Sequence, residues 1–148
     1  MIYDDLWASC VKFCQDKITS ITVEGVASPQ FLDFDTHATL TGLPDADLLG
    51  IRGFSFEVDD HLVHISVLFG VATKSDDTNL FRHRAMISRL FQDLIPMKQI
   101  ACVDATTGVV KGMLVAQNGT AVLPVTSADT RPLQFIAVQF QTDQTVSS

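Results

Sequence analysis

Hydrophobic and polar positions near the start of the chain follow a helical spacing. Apolar side chains recur every three or four residues along residues 4–18. Asp4 and Asp5 stand at its beginning, where the positive end of a helix dipole favours acidic groups. This pattern predicts an amphipathic helix over residues 4–18. The β-rich run at residues 21–23 is predicted to be a short extended segment.

The next clear pattern is a strict alternation of apolar and polar residues. It covers residues 54–58 and, after Asp59 and Asp60, residues 63–71. Two alternating segments joined by a short acidic turn predict a β-hairpin. The preceding residues 33–50 contain two glycines, a proline and four aspartates without a regular period, so we interpret them as an ordered but irregular excursion, a candidate mobile loop at an assembly surface.

A second helix is predicted in the middle of the chain. Polar residues 74–79 supply a helix start, and apolar side chains share one stripe along residues 80–94 until Pro96 ends the pattern. The remaining segments read as strands, with a hairpin turn at Asn118-Gly119 and a frayed tail after the last strand. The predicted strands are residues 99–103, 109–117, 120–123 and 133–141, and the tail is residues 142–148.

The order of these elements predicts the fold class. A helix is followed by a β-meander, and a second helix by a second meander. We therefore expect one α+β domain spanning residues 1–148, with a mostly antiparallel β-sheet and both α-helices packed on one face of it. A chain of 148 residues is long enough to build such a core without disulfides or metals.

Charge and composition suggest self-association. The chain carries 17 acidic and 10 basic side chains, but they are unevenly divided: residues 1–77 hold 13 acids and 4 bases, and residues 78–148 hold 4 acids and 6 bases. Such asymmetry suits a subunit that contacts its next copy head to tail. Charged residues make up 18% of the chain, below the roughly 25% usual for soluble domains. We therefore expect apolar surface that neighbouring subunits cover.

Candidate catalytic, metal and cofactor motifs have simpler explanations. The three cysteines lack a Cys-x-x-Cys pair and are predicted to be buried free thiols. His61 and His64 lie three apart on a strand, so their side chains point to opposite faces. The glycines form neither a dinucleotide-binding motif nor a P-loop, and no cofactor is implied. The acidic balance argues against specific nucleic-acid binding, and no apolar stretch is long enough for a membrane helix.

The chain resembles the tail terminator (tail completion) proteins of long-tailed bacteriophages. Five segments carry the resemblance, which spans most of the chain but does not cover residues 33–52 or the Asn118-Gly119 turn. They are the amphipathic helix around residues 6–11, the long strand 64–71, the polar loop 75–79, the helix 80–94 and the closing strand 133–141.

The resemblance implies a structural virion protein without enzymatic activity. Such a subunit would form a ring, expected to be a hexamer, that caps the tail tube, ends its polymerisation and presents a surface for joining the head. Its partners would be further copies of itself, the tail tube protein and a head–tail connector protein, and it would be assembled in the host cytoplasm into the virion tail. One alternative is another connector, such as a head-closure or neck protein. A small-ligand-binding domain or enzyme is the other, with His37, His61 and His64 as its site residues.

Two groups of residues are candidates for the subunit interface. One is the basic group on the second helix, which we expect to face acidic loops of the next copy. The other is an apolar group near the irregular excursion, which we expect a neighbouring subunit to cover. The basic group is Arg82, Arg84 and Arg89, and the apolar group is Phe31, Phe34, Leu48 and Leu49.

Overall fold

The computed structural model describes residues 2–37 and 40–143, and it confirms the α+β class. Two helices accompany one eight-stranded, curled and mostly antiparallel sheet. The helices are α1 (Ile2–Val23) and α2 (Phe81–Gln92), and short 3-10 turns cover Phe34–His37 and Thr78–Leu80. The strands are β1 (Gln30–Asp33), β2 (Leu48–Asp59), β3 (Leu62–Ala72), β4 (Gln99–Val103), β5 (Val110–Ala116), β6 (Ala121–Val122), β7 (Thr126–Ala128) and β8 (Arg131–Asp143).

Strand β8 organises the sheet. Its 13 residues pair with β3 along one edge, from Leu133 opposite Ala72 to Asp143 opposite Leu62. The other edge of β8 is shared in succession by β7, β6 and β5, and β4 pairs with β5 at one side of the sheet. At the opposite side, β1 pairs with β2 in parallel, the one parallel pairing among the described strands.

A β-bulge in β2 explains how two apolar runs of opposite phase belong to one strand. Leu49 and Ile51 face the main core, and a regular strand would then turn Phe54 away from it. The pairing with β3 shifts between Arg52 and Ser55, and Gly53 there has a φ of +63°. The extra residue restores Phe54 to the core side of the sheet.

Both helices pack in one core, as the pattern predicts. Cys10 and Cys14 of α1 and Leu90 of α2 are fully buried in the same cluster as the inward residues of β3 and β8. A second cluster, centred on Phe34 and Phe135, covers part of the opposite face of the sheet. None of the helices within the described residues is long and apolar enough to cross a bilayer.

Four predicted segments differ in the structure. Residues 21–23 complete α1 instead of forming a strand, because Ile21 is fully buried in the core and continues the helical stripe. The turn at Asn118-Gly119 does not join a two-stranded hairpin, since β5 and β6 both pair with β8 and not with each other. Within residues 33–50, part of the chain forms the end of β1 and the start of β2. The predicted frayed tail begins inside β8, and residues 144–148 lie outside the described part.

Candidate functional site

The first residue of the predicted basic interface, Arg82, is engaged within its own chain. Its Nε donates to Asp47 Oδ2 at 2.8 Å, and its Nη2 donates to Asp76 Oδ1 at 2.7 Å. Asp77 accepts the backbone N–H groups of Arg82 and His83 at 2.9 and 3.0 Å, which satisfies two donors at the start of α2. Arg82 therefore fastens the helix start to two loops.

The electrostatics of this cluster are those of a structural ion-pair network. The hydrogen bond that Arg82 donates to Asp47, followed by the one it donates to Asp76, raises the pKa of Arg82. The hydrogen bond from Arg82 lowers the pKa of Asp76. Burial alone would raise the pKa of Asp77, but the hydrogen bonds that its carboxylate accepts and the charge of Arg82 together hold that pKa below its usual value. All three carboxylates contact Arg82 of the same chain.

Another member of the predicted basic group, Arg89, is also paired within the chain. Its Nη2 lies 2.6 Å from Glu24 Oε2, just beyond the end of α1. Lys111 likewise pairs with the buried carboxylate of Asp5. These pairs join the basic second half of the chain to its acidic first half. Some of the opposite charges that suggested contact between copies are therefore used in ion pairs within one copy.

Three of the four apolar interface candidates belong to the core, so that part of the hypothesis is wrong. Phe34, Leu48 and Leu49 have no exposed surface, while Phe31 is half-buried against the main core. The loop that precedes β2 is held by Arg131, which donates to the carbonyl oxygens of Pro44 and Ala46 in that loop and of Thr73 after β3. Sequence reasoning missed this arginine because its carbonyl partners lie about 60 to 90 residues away in the chain.

Arg84 is the member of the basic group that remains free. It is exposed and makes no ion pair with any described residue. It borders a surface groove of about 300 Å³ between α2 and the segment that contains β6. We call this the Arg84 groove and define it by Leu80, His83, Arg84, Ile87, Ser88, Phe91, Val122, Val125 and Gln134.

The walls of the Arg84 groove are apolar and accessible. The exposed fractions of Phe91, Val122 and Val125 are 36%, 41% and 47%, values typical of surface that a folded chain leaves open. Large apolar side chains gathered in one groove mark interaction sites more often than single exposed ones do. Sequence reasoning missed the two valines, because they belong to a short outer strand and a loop without a clear period.

A buried histidine forms part of the floor of the groove. His83 is fully buried, and its Nε2 lies 2.8 Å from Oε1 of Gln134, so the ring proton belongs on Nε2. Gln134 in turn donates to the carbonyl oxygen of Leu123 at 2.9 Å. This chain of hydrogen bonds joins α2, through β8, to the β6 segment that forms the opposite wall of the groove. His83 Nδ1 has no hydrogen-bond partner among the described residues.

The histidines named for the enzyme alternative are not brought together as a site. His61 is exposed at the β2–β3 turn, 3.2 Å from Asp60, whereas His64 is half-buried in β3 and pairs in register with Glu57. His37 ends a 3-10 turn and contacts Thr36. Within residues 2–37 and 40–143, no group of three histidine, cysteine or acidic side chains is placed to hold a metal ion.

Comparison of the chain with protein-family models, with curated proteins and with solved structures gives no match in any of the three. A functional proposal therefore depends on the surface chemistry of this chain and on the resemblance of its sequence pattern.

Proposed function

We propose that this protein is a structural subunit of a phage tail, a tail terminator that forms a closed ring on the end of the tail tube. The resemblance of the element order to that family supports the proposal. The observation that carries it is the Arg84 groove, which combines accessible apolar walls with an unpaired cation. A surface of this kind suits a repeated contact between protein subunits.

Ring formation requires each copy to offer two different surfaces. Contact between unlike surfaces generates a ring if the rotation between subunits closes, and an open filament if it does not. In our proposal, the Arg84 groove is one of these surfaces. The ring then covers the last layer of tube subunits, prevents further addition and leaves its outer side for a head–tail connector protein. A hexamer is the expected ring.

The proposal is tested by the native mass of the protein with and without a candidate tail tube protein. Several copies bound to one tube end, in a fixed number, are the expected result. Negative-stain images of the same sample should place the protein at the tube terminus. Failure to bind tube ends at any ratio would contradict the proposal. In negative-stain images of purified particles, a location at the neck or head vertex would favour a head-closure protein instead.

A further inference from the structure

We propose that the Arg84 groove of one copy receives the tip of the β2–β3 hairpin of the next copy. We define this acidic tip as Val58, Asp59, Asp60 and His61. The inference rests on the proposed ring and names the segment that closes it. It is carried by the complementarity of two exposed surfaces that the fold of one subunit leaves unmatched.

The acidic tip has the chemistry that the groove lacks. Val58 is 46% exposed, and the carboxylates of Asp59 and Asp60 are both exposed. Neither carboxylate is paired with a lysine or arginine of the described chain, and Asp60 contacts only the exposed ring of His61, at 3.2 Å. An apolar side chain next to two carboxylates without a lysine or arginine partner matches apolar walls next to an unpaired guanidinium.

Other acidic positions are poorer candidates for the occupant. Asp76 and Glu24 are already paired with arginines of the same chain. Asp5 and Asp77, the second members of two further aspartate pairs in the sequence, are buried. Among the described residues, Asp59 and Asp60 are the adjacent carboxylates that are both exposed, and they lie beside an exposed apolar side chain.

The groove and the tip lie near opposite ends of β8, so one copy offers them to two different neighbours. Gln134 of the groove lies near the start of β8, while Leu62, next to the tip, pairs with Asp143 at its end. Nine residues of strand separate these positions by about 30 Å. The contact is therefore between unlike surfaces of different copies, which is the arrangement that a closed ring needs.

Disulfide trapping between two variants, each with one added cysteine, tests the docking directly. Ser88→Cys places a thiol in the groove, and His61→Cys places one in the tip without removing either aspartate. The native thiols are fully buried, so the introduced thiols are the reactive ones. Equal amounts of the two proteins are mixed under mild oxidation, and the disulfide-linked dimers are identified by mass.

The mixed dimer should exceed its share in random pairing. Adding Arg84→Glu to the Ser88→Cys protein should lower its yield about fivefold at low salt, because attraction becomes repulsion. Adding Asp59→Arg and Asp60→Arg to its partner should then restore the yield. As a matched control, Thr106→Cys replaces Ser88→Cys at another exposed position, and pairing with it should be random.

Random pairing of the Ser88→Cys and His61→Cys proteins would overturn the docking, as would a selective yield that Arg84→Glu leaves unchanged. Failure of this inference is distinguishable from failure of the proposed function. Random pairing together with stoichiometric capping of tube ends would refute only the docking. Selective pairing without any binding to tube would refute the terminator role and leave the contact between copies standing.

Discussion

Arg82 and Arg84 lie two residues apart on α2, yet they belong to different parts of the molecule. Arg82 points to a cluster of three aspartates and fastens the start of the helix to two loops. Arg84 is exposed beside an apolar groove and has no acidic partner among the described residues. One arginine serves the fold, and the other is available to a partner.

The contrast follows from helix geometry. Helical residues at positions i and i+2 are separated by about 200° around the helix axis, so the side chains of Arg82 and Arg84 lie on different sides of α2. A basic cluster in the sequence is therefore not a basic patch on the protein. The partners of Arg82 come from distant segments, and only folding shows which arginine they neutralise.

The largest loss of stability is expected from a substitution in the buried apolar stripe of α2. Leu90→Ala should lower the free energy of unfolding by about 2–5 kcal/mol, because Leu90 is fully buried between α2 and the sheet. Ser88→Ala, on the exposed side of the same helix, is the matched control and should change it by less than about 0.5 kcal/mol. Chemical denaturation of both variants measures the difference. Equal midpoints would show that the core face of α2 is wrongly assigned.

The comparison itself is tested by removing each arginine. Arg82→Ala should lower the free energy of unfolding by about 2–3 kcal/mol, because it leaves the buried carboxylates of Asp47 and Asp77 without their cation. This loss is smaller than that expected for breaking a fully buried ion pair, because Arg82 itself is partly exposed. Arg84→Ala should change stability by less than about 0.5 kcal/mol. The measurement is again the free energy of unfolding in denaturant. If Arg84→Ala were the more destabilising change, the assignment of Arg82 to folding and of Arg84 to partner binding would be wrong.

Acid should weaken the Arg82 side of the helix first. The pKa values of Asp76 and Asp77 are lower in the folded chain than the usual 3.8, so their contribution is present above that pH and is lost as the pH falls below it. The free energy of unfolding should therefore decrease below about pH 4. In Arg82→Ala this decrease should be shallower than in Arg84→Ala, because Asp76 has lost its cation. An identical pH dependence of the free energy of unfolding in the two variants would show that the Arg82 ion pairs do not contribute to stability.

The smallest effect is expected from a thiol reagent added to the native protein. Cys10, Cys14 and Cys102 are fully buried, and burial raises the pKa of Cys10 to about 12. Labelling should therefore be slow at neutral pH and should accelerate only in denaturant. Rapid modification of all three thiols without denaturant would contradict the packing of α1 on the sheet.

Elements with one face on the core could be predicted from the local spacing of apolar residues. Residues 63–71 alternate because β3 has one face on the core, and α2 follows its apolar stripe. The bulge at Gly53 and the assignment of Ile21 to α1 depend on contacts made across the molecule. The two strands on either side of Asn118-Gly119 were predicted to pair with each other, but β8, the longest strand, pairs with both.

The candidate site was less predictable than the fold. Phe34, Leu48 and Leu49 are apolar residues in a stretch without a regular period, and their sequence cannot distinguish core residues from a surface that a neighbour covers. The Arg84 groove lies between α2 and a segment about 40 residues later in the chain, so no local sequence pattern predicts it. Arg84 itself was among the predicted interface residues, and its role in assembly stays a prediction.

The length of tail tubes assembled in vitro tests the central claim most directly. Tube protein is polymerised alone, with the wild-type chain and with the Arg84→Glu variant, and the tube lengths are measured by electron microscopy. The wild-type chain should stop elongation and give shorter tubes, whereas Arg84→Glu should fold normally and leave the lengths close to those of tube protein alone. Tubes of the same length with and without the wild-type chain would contradict the terminator account.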